Sequence, residues 1–416
     1  MSDLKDAAAR LSSVALTDGL PALGKCSMRV TIGDRSFDVV IDDGSVVVAD
    51  SGKAGSDCDF AYSVDEPTWE AFCSNPPPRG YTSAQSIYAT LNGACVTGDR
   101  VAWAAYSTIL DRFFEALREV ASGPRPVRSD NPSPMRTTRS PIVGGYVHLT
   151  VAGEGRRVYY ESAGEGQTVL ALHTAGADSR QFRHLMEDSE LTARYRFIAF
   201  DMPWHGRSDP PDDWATSTYA LTTDTYAATI VAFMDELELD RPVLMGCSMG
   251  GAIALYMASK HGDLFSGVCA LEGGLGNPGR FVPWTNHIEV DHSHFLTSWV
   301  GGLIAPSSPE GPRNQTLWGY AQSGPGVYQG DTYFYSNDLP QHAANLTPAT
   351  CPLWIFSGEY DYSATTEMSR EAAEKLGGQL VEMRGSGHFP MAEDPVVFRS
   401  HLAPVLDKIS ESPRVG

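Results

Sequence analysis

The chain has 416 residues, 42% of them hydrophobic, and a formal net charge of −20 from 31 Lys and Arg against 51 Asp and Glu. The length suits two domains with sizeable cores. The charge argues against nucleic acid and anionic membrane surfaces as partners, because both would repel the chain.

Residues 1–23 open with acids and lack a long apolar core, so they do not read as a signal peptide. No apolar run approaches the roughly 20 residues that a membrane-spanning helix needs. The seven cysteines are scattered, odd in number and without a C-x-x-C pair, which fits buried thiols in a reducing, cytoplasmic setting. A helix is expected at 4–16, then strands at 27–32, 36–41, 45–49 and 59–64. Gly33-Asp34 and Asp42-Asp43-Gly44 supply the turns. Residues 66–72 read as helical, and Gly98-Asp99-Arg100 precede a final amphipathic helix at 103–120. The D-G turn, the strand carrying Asp57-Cys58-Asp59-Phe60 and the late G-D make residues 1–122 similar to sterol-carrier-protein-like domains. That resemblance implies a small α+β domain with an apolar groove for lipid-like or aromatic molecules. The bland reading is a domain for dimerisation or rigidity, and a homodimer is left open.

Residues 123–141, with Gly123-Pro124-Arg125-Pro126 and Asn131-Pro132-Ser133-Pro134, have the composition of an extended linker. Beyond it, apolar runs at 169–172, 196–200, 242–245, 267–271, 352–356 and 379–383 read as buried strands. The first ends in His173-Thr174-Ala175-Gly176 and the second in Asp201-Met202-Pro203-Trp204-His205-Gly206-Arg207-Ser208. The third runs into Gly246-Cys247-Ser248-Met249-Gly250, followed by a helical pattern. A strand, a tight G-x-S-x-G turn and a helix together form the context of a nucleophile elbow, although the motif alone also fits an ordinary turn.

A serine hydroxyl needs a base, and the base needs an orienting group. Asp361 follows the strand at 352–356, and His388 follows the strand at 379–383. Ser248, Asp361 and His388 therefore occur in an order that lets His388 take the serine proton while Asp361 fixes its tautomer. General-base help of this kind contributes roughly 10²–10⁴-fold. Glu359 and Glu272 are competing acids. The backbone N–H groups of Ala175 and Met249 are the expected oxyanion donors, with Thr174 as the alternative. His173 and His205 are expected to be structural.

These five blocks, in this order, make residues 142–416 resemble the α/β-hydrolase family. The resemblance implies a mostly parallel eight-stranded sheet with helices on both faces and a helical cap. Two positions depart from the family pattern: Thr174 replaces a glycine after the first histidine, and Trp204 stands where a glycine is usual.

Residues 276–345 interrupt the strand pattern and are expected to form the cap. Their aromatic rings suit an apolar or aromatic substrate, and Trp204, Trp284, Trp299 and Trp318 are the expected binding residues. Gly274-Leu275-Gly276-Asn277-Pro278-Gly279 matches a nucleotide loop only in letters, because Pro278 and Pro283 forbid the following helix. His287, Asp291, His292 and His294 fit no common zinc spacing, so no metal and no cofactor are expected. The leading expectation is a serine hydrolase acting on a carboxylic ester or lactone with a bulky apolar part. A carbon–carbon bond hydrolase acting on a diketone or ring-fission product is the first rival. A non-catalytic lipid or small-molecule binding protein is the second.

Overall fold

Burial alternates residue by residue along β1 (Cys26–Ile32), with Cys26, Met28, Val30 and Ile32 inside, as one covered face of a sheet requires. β2 (Arg35–Asp42) continues the pattern antiparallel to β1. With β3 (Ser45–Asp50), β4 (Phe60–Val64) and β5 (Val96–Gly98) they form a sheet of order β3-β2-β1-β4-β5, in which only β1 and β4 run parallel. The computed structural model describes residues 24–42, 45–50, 58–126 and 140–411. The helix expected at 4–16, the Asp43-Gly44 turn and most of the linker lie outside the described residues.

The described residues fall into two compact units. One takes in those of 1–128 with Pro283–Ser307; the other takes in those of Ser129–Val282 and Ser308–Gly416. In the first unit the helix Ser107–Ser122 buries Ile109, Leu110, Phe113, Phe114 and Leu117. Phe113 meets Phe37 edge-on at 6.1 Å and Phe114 meets Tyr62 at 5.0 Å, so this helix closes the inner face of the sheet. The single helix expected at 103–120 is in fact two. Asp99 accepts from the Val101 N–H and starts a helix at Arg100–Ala105, and Tyr106 leaves helical geometry before the second begins. The helix Ala84–Thr90, capped reciprocally by Ser83 and Ser86, lies in sequence whose hydroxyl residues resemble a loop.

Part of the expected cap belongs to this first unit. In the helix His292–Gly301, Asp291 caps the start, the His294 carbonyl accepts from Thr108 Oγ1 at 3.1 Å, and Ser298 donates to Asp111. Trp284 sits edge-on to Trp103 at 5.2 Å, and Trp299 stacks with Phe295 at 5.7 Å.

The second unit holds an eight-stranded sheet. Its strands are β6 (Val143–Val151), β7 (Glu154–Ala163), β8 (Gln167–Leu172), β9 (Tyr195–Phe200), β10 (Val243–Cys247), β11 (Gly267–Leu271), β12 (Leu353–Gly358) and β13 (Gln379–Met383). The order is β13-β12-β11-β10-β8-β9-β7-β6, parallel from β8 to β13, with the β6–β7 hairpin antiparallel at one edge. Val169, Ala171, Val243, Met245, Cys269 and Leu271 join one core with Phe398, Leu402 and Leu406 of the helix Pro395–Glu411. Leu170, Leu244, Val268 and Ala270, which point the other way, are equally buried. Both faces are therefore covered, which explains why these strands read as continuous apolar runs. The helix Thr223–Glu236 covers the second face through Phe233 stacked on Phe200 at 4.3 Å, and the helix Met249–Lys260 covers it beside β8 and β11. No helix among the described residues is long and apolar enough to cross a membrane.

The register aligns Cys247 with Leu271, Leu271 with Phe356, and Gly246 with Leu172, so the loops after these strands open on one edge. In parallel sheets that edge is where sites form. The turn after β10 depends on glycines. A Cβ on Gly246 would lie 2.1 Å from the Gly250 carbonyl oxygen, and one on Gly250 would lie 2.4 Å from the Leu172 carbonyl oxygen. Gly250→Ala is expected to push the helix off β8 and to cost about 1–3 kcal/mol in urea unfolding. A loss below about 0.5 kcal/mol would show that the helix can shift freely.

Candidate active site

Ser248 sits between the last residue of β10 and the helix Met249–Lys260, at φ 55° and ψ −112°. An L-residue rarely adopts that conformation, and strain of this kind collects at functional sites. Its N–H donates to the Leu271 carbonyl at 2.8 Å, and its carbonyl accepts from the Ala252 N–H at 2.7 Å. The hydroxyl thus stands at a helix N-terminus, where developing negative charge is favoured.

His388 is 3% exposed, and its Nδ1 lies 2.6 Å from Asp361 Oδ2, with Nδ1–H as the donor. Asp361, fully buried, also receives the N–H groups of Ser363 at 2.7 Å and Ala364 at 3.1 Å on Oδ1. The Cys247 thiol donates to the His388 carbonyl at 3.2 Å, which brings the histidine loop beside the residue preceding Ser248. The three residues picked from sequence order therefore lie on neighbouring loops at one sheet edge. The two rival acids separate clearly. Glu359 is exposed and accepts from the Gly385 N–H at 2.9 Å. Glu272 is 1% exposed, sits at φ 48° and accepts the Gly358 N–H at 2.9 Å. Burial first, and then the adjacent Asp361, push its carboxyl well above the usual range.

The N–H groups of Ala175 and Met249 have no acceptor among the described residues. Thr174, the alternative donor, is ruled out: its N–H donates to Gln181 Oε1 at 3.0 Å, and its hydroxyl is paired with Tyr320 and Gln181. The Gly176 N–H is likewise occupied, by Asp331 Oδ2 at 2.7 Å. Asp331 also meets His205 Nε2 at 2.8 Å and accepts from the Tyr219 hydroxyl at 2.8 Å. His173 donates from Nδ1 to the Thr174 carbonyl and accepts the Met202 N–H on Nε2 at 3.1 Å. Burial and then the neighbouring His205 bring His173 down to about 4, so it is neutral. Burial opposes charge on His205 as well, but Asp331 outweighs it and the net direction is upward. No sequence signal marked Asp331, which lies 155 residues from Gly176.

Ser248 opens on a cleft walled by Met249, Ala252, Glu272, Asn277, Tyr335 and Met368. Asn277 ties its walls together, donating from N–H to the Tyr335 carbonyl and from Nδ2 to the Ser363 carbonyl, both at 2.7 Å. Gly274 and Gly276 form part of the lining, and no helix follows them. Neither Trp204 nor Trp318 lines this cleft. Trp204 packs against Tyr219 at 5.3 Å, and Trp318 is 64% exposed. Trp284 and Trp299 bury their rings among aromatic neighbours in the first unit. Among the described residues no group of three His, Cys, Asp or Glu side chains could hold a metal ion.

Residues 169–400 match the model of the alpha/beta hydrolase family. A 2-hydroxy-6-oxononadienedioate/2-hydroxy-6-oxononatrienedioate hydrolase of Paraburkholderia phymatum is 30% identical over 141 residues, 33% of this chain and 47% of that one. The chain spans about half the length of the curated relatives of that name. The enol-lactonase of Burkholderia xenovorans superposes with a TM-score of 0.54 at 19% identity, covering 63% of this chain and all of that one. A thermophilic esterase from Thermogutta terrifontis gives 0.54 at 19% identity, covering 64% and 99%.

Asp331→Asn removes the anion facing His205. A group whose folded pKa is raised contributes fully below its unfolded value, about 6.5 for histidine, and less as pH rises through the folded value. Breaking a buried pair costs about 3–5 kcal/mol. Urea unfolding is therefore expected to show that loss near pH 6 and a smaller one near pH 9. A loss independent of pH would mean that His205 is neutral in the folded state.

Proposed function

The chain belongs to the alpha/beta hydrolase family, and from that premise we propose that it is a serine hydrolase that needs no cofactor and cleaves a carboxylic ester or lactone. The observation that carries this reading is the 2.6 Å bond from His388 Nδ1 to Asp361 at the same sheet edge as the strained Ser248. With Nδ1–H committed to Asp361, His388 Nε2 is the nitrogen left to act as base. It takes the Ser248 proton as the oxygen attacks the acyl carbonyl. The oxyanion of the tetrahedral intermediate meets the N–H groups of Ala175 and Met249. Removing one such donor costs about 3–4 kcal/mol of transition-state stabilisation in enzymes of this kind. His388 then protonates the leaving alkoxide, and an acyl-enzyme is left on Ser248. Water attacks that ester while His388 takes its proton; His388 then returns the proton to the Ser248 oxygen as its bond to the acyl carbon breaks and the acid departs.

The residues Met249, Ala252, Met368 and Tyr335 in the cleft wall support an apolar or aromatic group next to the scissile bond. A second reading is cleavage of a carbon–carbon bond in a β-diketone or ring-fission product, favoured by the name of the Paraburkholderia phymatum relative. The loop after His173 reads Thr174-Ala175-Gly176 rather than a glycine- and serine-rich run, which supports the ester reading over it.

A fluorophosphonate probe is expected to label the protein at Ser248, and Ser248→Ala should lose both labelling and ester hydrolysis. The loss in kcat/KM is expected to exceed about 10³-fold. Aryl and alkyl esters run beside a β-diketone and a ring-fission product separate the two readings. Turnover of the diketones alone would overturn the ester reading, and no labelling of the wild type would overturn both.

A further inference from the structure

Two buried acids, not one, stand behind the cleft. We propose that Glu272 is a positioning residue: a neutral carboxylic acid that donates its O–H to Asp361 and so leaves Asp361 as the carboxylate that orients His388. The proposal rests on the reading of Ser248, His388 and Asp361 as the catalytic set.

The donor inventory decides which acid carries the proton. Asp361 accepts from three groups: the Ser363 and Ala364 N–H and His388 Nδ1–H. Glu272 accepts from one, the Gly358 N–H, on Oε2. Its Oε1 is buried and receives no hydrogen bond among the described residues. That carboxyl lies against Asp361. The hydrogen bond open to Oε1 is therefore one that it donates. Two carboxylates sharing a buried site cannot both ionise cheaply, and the proton goes to the one with fewer donors. The placement is built into the backbone. Glu272 follows β11 directly, its N–H donates to the Phe356 carbonyl of β12 at 2.9 Å, and its own φ is held at 48°. Loops after neighbouring parallel strands thus bring the two acids together. The other titratable groups facing Glu272 are Glu393, which accepts the Gly387 N–H, and the Cys247 thiol on β10. Arg280 carries a positive charge near Asp361. Glu272 also lines the cleft beside Ser248, so its protonation state acts on the reacting atoms through Asp361 and His388.

The test uses the full chain carrying Glu272→Gln or Glu272→Leu, with two independent readouts. The first is melting temperature against pH and needs no activity. A carboxyl kept protonated in the fold stabilises it below the unfolded value, about 4.3, and loses that contribution as pH rises through the raised folded value. Glutamine does not titrate. The Glu272→Gln minus wild-type difference should therefore become more positive between pH 5 and pH 8, by about 2 °C or more. A difference independent of pH would overturn the neutral acid. The second readout is the acidic limb of kcat/KM on an aryl ester. Glu272→Gln keeps a neutral donor, so the limb should stay within about 0.3 pH unit while kcat falls between two- and tenfold. Glu272→Leu strips the donor, Asp361 holds the imidazolium harder, and the limb should move up, with kcat down about 30-fold or more and KM within about twofold. A downward move in Glu272→Gln would show that the wild type carries a second negative charge, and would overturn the proposal. If no ester is turned over, the ester reading fails, while the melting arm still decides the state of Glu272.

Discussion

Three glycines around Ser248 leave no room for a Cβ, and the geometry of the strand-end loops follows from that. Gly246 and Gly250 touch through the Gly250 carbonyl, Gly250 rests on Leu172 of β8, and Gly251 rests on Leu271 of β11. The helix Met249–Lys260 is thereby wedged against two strands at once. With the helix seated this deep, the chain must turn within a single residue, and Ser248 takes the φ of 55°. The strain is offset by the burial of Ile253, Leu255 and Met257 along the same helix. An exposed serine on a flexible loop could not hold one orientation; here close packing imposes it.

Beside these loops, acids gather in the interior of an already acidic chain. Asp361, Glu272 and Glu393 are all buried, and each is met by at least one backbone N–H: from Ser363 and Ala364, from Gly358, and from Gly387. Backbone amides suit this task because they bring dipoles without a counter-charge that would neutralise the group they hold. Their uneven distribution separates the roles of the acids. Asp361 receives three donors, one of them from His388, whereas Glu272 receives one.

The parallel strands and Ser248, Asp361 and His388 were legible in the sequence because each signal is local: an apolar run, then a short polar motif in a fixed order. Two kinds of feature were not. β5 (Val96–Gly98) is too short to show a period, and the Ser83 capping box lies in sequence that reads as loop. The aromatic residues are hard to read for a different reason. A large ring signals burial but not a partner: Trp204, expected on a substrate, packs on Tyr219 outside the cleft lining. Tyr335 and Met368, which also line the cleft, belong to no recognisable motif.

Asp331 is the extreme case of a residue whose importance lies wholly in the fold. It draws together the Gly176 N–H, His205 and Tyr219 from three separate segments. His173, held neutral beside His205, accepts the Met202 N–H and ties the loop after β8 to the loop after β9. With the Thr174 and Gly176 amides both occupied, the Ala175 N–H between them is fixed in direction without being consumed. Electrostatic stabilisation of a transition state depends on donors that need not reorganise when charge appears. An amide anchored on either side meets that condition. So does the first N–H of a helix wedged by glycines, which is the position of Met249. Two unrelated restraints, the hydrogen bonds of Asp331 and a glycine contact, thus hold two backbone N–H groups on neighbouring loops of one sheet edge.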